Sequence, residues 1–485
     1  MGARHAVPDG RHPGATAACG GVLPVDSLSV IVTSGCNLAC TYCYRRGRSR
    51  LSLPWPELQR ALDWALAAPG GALEVIFSGG EPLLGYPVLE RAVRHLRARS
   101  RSAAPVKLRV LTNGILLDDR RLAFLAEQDV FVNLSCDGVA AAQVHRGAGT
   151  WRQLDALLDT MAARHPRWFA SRCQVTATVT PANLPHLAGS VAYLCGKGVG
   201  TIALSPVMTV VPGCDDDLRP LLARQLRQVS DLSRRLHEAT GRVPLVSLRR
   251  YAGGGPTPGK DRRPCVALEA GNPVLDVDGR ISSCLMFAPS GLAGGDPRLK
   301  EIAADLDLGR IGEPGFEDRR RSFAAAVRNR GIFTSAPDLA SRYGRCADCP
   351  AAATCRICPL TLLSAGRGRA PRTVPALLCA YNLLSAELRA AFPVQPDPRP
   401  PRVTAAALRQ RMAHWAARGT GSLNPPAATA AAARPSAPSA AADPAPRPGG
   451  AGTARPGRSG RGPRPAARRR AGRRRPQRRG RPASR

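Results

Sequence analysis

Residues 34–44 read Ser34-Gly-Cys-Asn-Leu-Ala-Cys-Thr-Tyr-Cys-Tyr44 and follow the apolar run Ser27-Leu-Ser-Val-Ile-Val-Thr-Ser34. This run predicts a buried β-strand, which places the cysteines on the loop leaving its carboxyl end. Cys36, Cys40 and Cys43 are separated by three and two residues, so their sulfur atoms can converge on one small inorganic core. Three thiolates are one too few for a closed tetrahedral metal site, but they suit a 4Fe–4S cluster with one iron open to a further ligand. A zinc site or an incidental cysteine group is the alternative interpretation.

Five further strand-like runs follow the first, at residues 73–77, 107–111, 130–134, 174–179 and 201–204. The intervening segments are long enough for helices, which we expect near residues 54–68, 120–127, 151–164 and 184–196. Strands that alternate with helices predict an α/β fold with a parallel sheet. In β/α barrels the active site lies at the carboxyl ends of the strands, where the cysteine loop is predicted.

A second motif, Ser78-Gly-Gly-Glu-Pro82, follows the second strand. The cysteine triad followed by this segment resembles the radical S-adenosylmethionine (SAM) superfamily. The resemblance implies a partial (β/α)₆ barrel of the TIM type. It also implies that SAM chelates the open iron of the Cys36/Cys40/Cys43 cluster and is cleaved by one electron to a 5′-deoxyadenosyl radical. Two glycines permit close approach of main chain to the methionine part of SAM, and Glu81 offers an acceptor for its ammonium group.

Further SAM contacts are implied by the same resemblance at later strand ends. Ser135 and Asp137 are expected near the SAM ribose, and Arg146 near its carboxylate, although no Asp follows His145 and the spacing is compressed. The full set of expected SAM contacts is Tyr42, Gly79, Gly80, Glu81, Pro82, Asn113, Ser135, Asp137 and Arg146.

A second cysteine block occupies the C-terminal half of the chain. It reads Cys265-x₁₃-Gly279-x₄-Cys284, then Cys346-x₂-Cys349-x₅-Cys355-x₂-Cys358, then Cys379. This block resembles the SPASM extension of radical SAM enzymes, except that two residues rather than three precede Cys358. The resemblance implies two auxiliary 4Fe–4S clusters: one is held by Cys346, Cys349, Cys355 and Cys379, and the other by Cys265, Cys284 and Cys358. Cys214 is a candidate for the missing ligand of the second cluster, and a zinc ribbon is the alternative interpretation of the whole block.

Composition sets outer bounds on localisation and partners. Fifteen cysteines without an apolar membrane segment or a recognisable signal peptide lead us to expect a cytoplasmic protein with metal-ligating thiols. The formal charge of +35 would favour nucleic acid. However, only four of the 70 basic residues are lysine, and Ala, Gly, Pro and Arg are all abundant, which indicates a GC-rich coding sequence. We therefore expect neither a nucleic-acid nor a membrane partner.

The expected organisation has six parts. Residues 1–24 form a flexible N-terminus, 25–245 the radical SAM core, 246–264 a linker and 265–395 the SPASM domain. Residues 396–420 contain a terminal helix, and 421–485 form a disordered basic tail. The tail holds sixteen arginines against one acid, Asp443, and almost no large apolar residues, so it cannot bury enough surface to offset chain entropy.

The predicted function is a radical SAM oxidoreductase that abstracts hydrogen from a peptide or protein, in the modification of a ribosomal peptide. Expected partners are the peptide substrate, a reductant such as flavodoxin or ferredoxin, and a separate peptide-recognition protein. Formylglycine generation in sulfatases is an alternative. In that branch an Asp, acting as general base, follows the cysteine that corresponds to Cys284, whereas this chain has Leu285. A non-catalytic zinc-ribbon protein that binds nucleic acid is an alternative of another class.

Overall fold

The fold is described from a computed structural model. It describes residues 23–45, 50–100, 106–214, 217–250, 272–291, 297–329, 343, 346–351, 355, 357–358, 361–362, 374–395, 406 and 409–410.

Six parallel strands form the centre of the fold. They are β1 (Ser27–Thr33), β2 (Glu74–Gly79), β3 (Lys107–Thr112), β4 (Phe131–Ser135), β5 (Cys173–Val179) and β6 (Ile202–Pro206). Each of the first five strands pairs in parallel with the strand that follows it in sequence. β6 lies at one end of the sheet, so the parallel strands do not close on themselves. The prediction of an α/β fold with a partial barrel of six strands is confirmed.

Helices cover this sheet. They are α1 (Trp55–Ala67), α2 (Tyr86–Arg99), α3 (Asp119–Glu127), α4 (Ala140–Gln143), α5 (Thr150–Arg164), α6 (Pro166–Arg172), α7 (Leu187–Gly196), α8 (Arg219–Thr240), α9 (Pro297–Asp305), α10 (Phe316–Asn329) and α11 (Ala376–Ala390). Short 3₁₀ turns lie at Pro82–Gly85, Leu184–His186, Val246–Leu248 and Pro289–Gly291. The four helices expected from the sequence are present, with ends within three residues of the predicted ones.

Strand β1 is an interior strand that joins the six-stranded barrel to further strands of the same sheet. Leu28, Val30 and Ile31 have no exposed surface. On the side away from β2, β1 pairs in parallel with β7 (Val274–Leu275), which continues through antiparallel β8 (Ile281–Ser282) and β9 (Asp307–Gly309). The sheet therefore has nine strands in the order β6-β5-β4-β3-β2-β1-β7-β8-β9. The residues leading to Cys284 are thus an extension of the barrel sheet.

Helix α11 has two apolar faces. Leu377, Tyr381 and Leu384 pack into the main core, which is continuous with the barrel. Leu378, on another face, joins a small separate core with Tyr343, Ile357, Leu362 and Val374. The helix therefore connects the barrel to the second cysteine block.

Several expectations fall on residues outside the described ranges. These are most of the N-terminal segment, Cys265 and most of the linker, and the tail beyond residue 420. Of the expected terminal helix, residues 406, 409 and 410 are described, and they are helical. Among the described residues, no helix has the length and apolarity needed to cross a bilayer.

Candidate functional site

The cysteine loop is tied to neighbouring strand ends by main-chain hydrogen bonds. The amide of Gly80 donates to the carbonyl of Thr33 at 2.9 Å, and the amide of Glu81 donates to the carbonyl of Gly35 at 2.9 Å. Further along the loop, the Thr41 amide donates to the His145 carbonyl at 2.9 Å. The loop is thus held between the segments that follow β2 and β4.

Gly79 and Gly80 permit this close approach. A Cβ atom at Gly79, which has φ +146°, would lie 2.3 Å from the Thr33 carbonyl oxygen. At Gly80 a Cβ atom would lie 2.1 Å from the Gly35 carbonyl oxygen. The space that the missing side chains leave is therefore filled by main chain at the end of β1 and at the start of the cysteine loop, a reason for the glycine pair that the sequence alone did not supply.

Glu81 is fully buried at the centre of this arrangement. Its carboxylate accepts hydrogen bonds from the Thr112 hydroxyl at 2.7 Å, the Asn113 amide at 2.7 Å and the Leu83 amide at 3.1 Å. Burial raises the pKa of the Glu81 carboxyl, although these three hydrogen bonds oppose the rise. Glu81 thus joins the end of β2 to the end of β3, and its contact with a SAM ammonium group stays a prediction. Pro82 begins the 3₁₀ turn that follows.

Asn113 reaches the cysteine loop from the end of β3. Its Nδ2 donates to Asn37 Oδ1 at 2.8 Å and lies 4.0 Å from Cys36 Sγ. The Leu38 amide donates to the same sulfur at 3.4 Å. Donors of this kind favour the thiolate form of a cysteine, the form that binds iron.

Three predicted residues meet in one buried network behind the loop. Asp137 Oδ1 accepts from Arg146 Nη2 and from the Thr178 amide, both at 2.9 Å, and Asp137 Oδ2 accepts from the Tyr42 hydroxyl. The Asp137 side chain is fully buried, and that of Arg146 is 9% exposed. Arg146 also lies over the Tyr42 ring, 5.5 Å from its centroid. Ser135, the last residue of β4, lies two residues before Asp137 in the sequence and is half-buried.

The internal pairing of Asp137 with Arg146 was not expected, because both residues were assigned to SAM. Arg146 Nε is buried and has no hydrogen-bond partner among the described residues. The guanidinium therefore still has a donor to offer a ligand, which fits an anionic group such as a carboxylate.

The thiols of the triad lie close enough together to interact electrostatically. Burial raises the pKa of the Cys40 thiol to about 11; Arg146 opposes this rise, and Cys43 and Cys36 add to it. All three cysteines are half-buried, so the loop presents sulfur atoms at a surface that a cofactor can reach.

Four cysteines of the second block form another group, here called the auxiliary group: Cys346, Cys349, Cys355 and Cys379. Burial raises the pKa of the Cys355 thiol to about 11, and Cys379, Cys349 and Cys346 each add to the rise. Three of the four pack against the small core beside α11. The structure thus brings together the four residues that the resemblance assigned to one cluster.

Cys284 and Cys358 lie apart from the auxiliary group in packing, because both contact the main core instead. Cys284 is close enough to Tyr44, in the triad loop, to affect its pKa. The next residue, Arg45, donates from Nη2 to Ser290 Oγ at 3.2 Å. Contacts at Tyr44 and Arg45 therefore connect the triad loop to the segment after β8. Cys214 is buried in the main core, and Cys265 is outside the described residues.

The family comparison decides the identity of the barrel. Residues 30–211, from β1 to just beyond β6, match the family model described as the Radical SAM superfamily. Residues 30–211 are a radical SAM domain. The resemblance to the radical SAM superfamily that the cysteine triad suggested is therefore confirmed for this segment.

Curated relatives match parts of the chain. An uncharacterised protein of Methanocaldococcus jannaschii is 28% identical over 177 residues, which are 36% of this chain and 60% of that protein. A GTP 3',8-cyclase of Chlorobaculum tepidum is 37% identical over 114 residues, which are 23% of this chain and 33% of the relative. A cysteine-type anaerobic sulfatase-maturating enzyme of Clostridium perfringens is 32% identical over 123 residues, or 24% of this chain and 33% of the enzyme. The matches thus span from a third to three fifths of these relatives.

Similarity in fold extends beyond the radical SAM domain. The structure of anSMEcpe with bound AdoMet has a TM-score of 0.57 and 16% identity, covering 81% of this chain and 99% of that one. The same protein with AdoMet and the Cp18Cys peptide gives a TM-score of 0.56 and 15% identity, with the same coverage. The similarity in fold therefore covers a larger share of the chain than residues 30–211.

The residues of the radical SAM domain fit the cofactors that its superfamily uses, SAM and a 4Fe–4S cluster. The donor set is three mutually close thiols, with an amide donor at Cys36 and the unpaired Nε of Arg146 on the same side of the fold. Within the described ranges, no three His, Cys, Asp or Glu side chains are grouped as ligands of one metal ion. The cysteines of a 4Fe–4S cluster each bind a different iron atom, so a triad for such a cluster need not have that grouping.

Sequence reasoning missed several residues that organise the site. Thr112, Thr178 and Gln143 contribute to the Glu81 and Asp137 networks through the hydroxyl of Thr112, the amide of Thr178 and the side-chain amide of Gln143. Thr112 lies directly before Asn113, so its position at a strand end was the one available signal. The other two are brought to Asp137 only by the packing of β5 and α4 against β4.

Proposed function

We propose that this protein is a peptide maturase that uses radical SAM chemistry to remove a hydrogen atom from a peptide side chain. The observation that carries the proposal is the auxiliary group of four cysteines, one of which, Cys379, lies on α11, in a chain that also contains a radical SAM domain. A fold shared with anSMEcpe, whose structure includes a bound peptide, supports a peptide substrate. When bound, the triad cluster and SAM supply the one-electron chemistry that removes the hydrogen atom.

The chain's own residues have the task of binding and orientation. Cys36, Cys40 and Cys43 would hold the triad cluster, and the contacts of Gly80 and Glu81 fix their loop to β2. Arg146 would receive the SAM carboxylate through its unpaired Nε, while Asp137 holds the guanidinium in place. The buried position of this ion pair excludes water from one wall of the site.

Leu285 argues against sulfatase maturation as the reaction of this chain. It packs against a small core of Ile31, Val274, Val277 and Ala288. An aspartate there would place a carboxylate against apolar side chains, which is costly for a charged group. The chain therefore lacks, at this position, the base that the sulfatase-maturing branch carries.

Changing Cys36, Cys40 and Cys43 together to Ala tests the catalytic assignment. Wild-type protein reconstituted anaerobically should hold roughly twelve irons if three 4Fe–4S clusters fill, and the variant should lose about a third of them. It should also lose all formation of 5′-deoxyadenosine from SAM under dithionite. Cys195→Ala, a buried thiol of α7 away from the site, is the matched control and should retain both. SAM cleavage by the triple variant would contradict the proposal.

The peptide substrate requires a separate test. Small Cys- or aromatic-rich peptides encoded beside the gene should be incubated with enzyme, SAM and reductant, and then analysed by mass spectrometry. Loss of two hydrogens, with no formylglycine formed in a parallel sulfatase-derived peptide, supports a ribosomal-peptide maturase. Formylglycine alone would favour the alternative. Flavodoxin or ferredoxin as reductant and a separate recognition protein belong to the same proposal, and replacing dithionite with either carrier tests the first.

A further inference from the structure

The side chain of Asn382 on α11 contacts the auxiliary group. Its Nδ2 donates to Cys355 Sγ at 3.6 Å, within the range of hydrogen bonds to sulfur. Asn382 follows Cys379 by three residues, so the two side chains lie on one face of the helix. Asn382 therefore approaches a cysteine that comes from a different part of the chain.

The register of α11 is fixed independently of this contact. The Tyr381 hydroxyl donates to the Leu204 carbonyl in β6 at 2.8 Å, and the residue is buried. Leu377 and Leu384 pack on the same barrel side. Because the preceding residue is anchored to the barrel, Asn382 is held in place against Cys355 rather than being free to swing to solvent.

The surroundings of Cys355 make a hydrogen bond there effective. Cys355 packs against the small core that contains Ile357 and Leu362. In such apolar surroundings, a single polar donor has a larger effect on charge at sulfur than it would in water.

We propose that Asn382 is a positioning residue that sets the reduction potential of an auxiliary cluster bound by Cys346, Cys349, Cys355 and Cys379. Hydrogen bonds to the sulfurs of an iron–sulfur cluster are among the factors that set its potential. Reduction adds one electron to the cluster, and a donor at a coordinating sulfur stabilises that added negative charge. Asn382 therefore makes this cluster easier to reduce. The inference rests on the proposed function only in requiring that the auxiliary group holds a cluster.

The test replaces Asn382 in the full chain after anaerobic reconstitution. Asn382→Leu has a similar volume but no donor, and Asn382→Ala avoids any crowding if the leucine variant does not fold. Glu387→Gln, an exposed change on the same helix, is the matched control. Potentials are measured by EPR-monitored redox titration, and addition of SAM identifies the triad cluster as the one whose signal changes.

In both Asn382 variants we expect the midpoint potential of one auxiliary signal to shift to more negative values. The triad cluster and the control should keep the wild-type potentials, and total iron should be unchanged. Loss of auxiliary iron in both Asn382 variants would show that the residue is needed for assembly of the cluster, and would overturn its assignment as a residue that sets the potential. An unshifted potential at full iron content, or an equal shift in the control, would overturn the inference. The inference would also be overturned if reconstituted wild-type protein held no iron in the auxiliary group. Failure of the proposed function is a different result: the protein would have its full iron content but would not cleave SAM.

Discussion

At the scale of single residues, the site depends on two positions that have no side chain. Gly79 and Gly80 have no Cβ, and main chain of Thr33 and Gly35, where β1 ends and the cysteine loop begins, occupies the space where Cβ atoms would be. The amides of Gly80 and Glu81 then hold that loop by two hydrogen bonds. The geometry of the three thiols is thus determined by a segment about forty residues away in the sequence.

Gly80→Ala should damage the site without touching a cofactor ligand. The added methyl group would lie 2.1 Å from the main-chain oxygen of Gly35, and main chain cannot move aside as a flexible side chain can. We expect a loss of about 1–3 kcal/mol in the free energy of unfolding, together with lower iron content. Anaerobic urea denaturation and iron analysis measure the two effects. Gly71→Ala, where a Cβ atom meets nothing within 4 Å, is the control and should leave both unchanged. Equal behaviour of the two variants would show that the close approach is not required.

The site could be predicted only in part from the sequence. Motifs located Cys36, Glu81 and Asp137 at strand ends, because parallel strands bring their carboxyl ends to one edge. Motifs could not show that Glu81 binds Thr112 and that Asp137 binds Arg146. Those pairings depend on which buried groups find donors once the strands are side by side.

At the scale of elements, the strands were predictable where their sequence runs were long enough to be recognised. The six strands of the barrel have five to seven residues each, and their sequence runs are distinct. β7 and β8 have two residues each, too few for an alternating pattern, so their addition to the edge of β1 was not predicted. Helix α11 was missed for a different reason: it is apolar on two faces, and its pattern does not show a single stripe.

Tyr381→Phe tests how firmly α11 is mounted on the barrel. The change removes a buried hydrogen bond and leaves the Leu204 carbonyl without that donor. We expect the free energy of unfolding to fall by about 1 kcal/mol, measured by anaerobic urea denaturation. Tyr193→Phe removes a hydroxyl that bonds Asp155 at 2.7 Å in a partly exposed position, and we expect a smaller loss there. A larger effect at Tyr193 would contradict the view that α11 is anchored through β6.

At the scale of the whole molecule, the barrel and the second cysteine block are parts of one packed body. The main core includes residues from β1 through α11, and β7 to β9 continue the barrel sheet. The expected linker, residues 246–264, therefore lies between two segments of the chain that contribute strands to the same sheet. By contrast, the composition from Gly421 onward offers nothing to bury in a core.

Truncation after Gly419 should leave the chemistry intact. The removed segment has no cysteine and almost no large apolar residue, so we expect it to contribute neither ligands nor packing. Iron content, SAM cleavage and the urea midpoint of the truncated protein should equal those of the full chain. A fall in iron content or midpoint would show that the basic segment packs on the rest of the protein.

The position of β1 has a consequence for how the protein could lose its triad cluster. Because β1 is hydrogen-bonded to β2 on one side and β7 on the other, it cannot detach by fraying as an edge strand does. Partial openings of a native protein involve its least protected segments first, and a doubly paired strand with fully buried side chains is among the last. The root of the cysteine loop should therefore open only when most of the sheet opens. Spontaneous loss of the cluster would then proceed through movement of the loop at residues 36–43, while the attachment of that loop to the sheet stays in place.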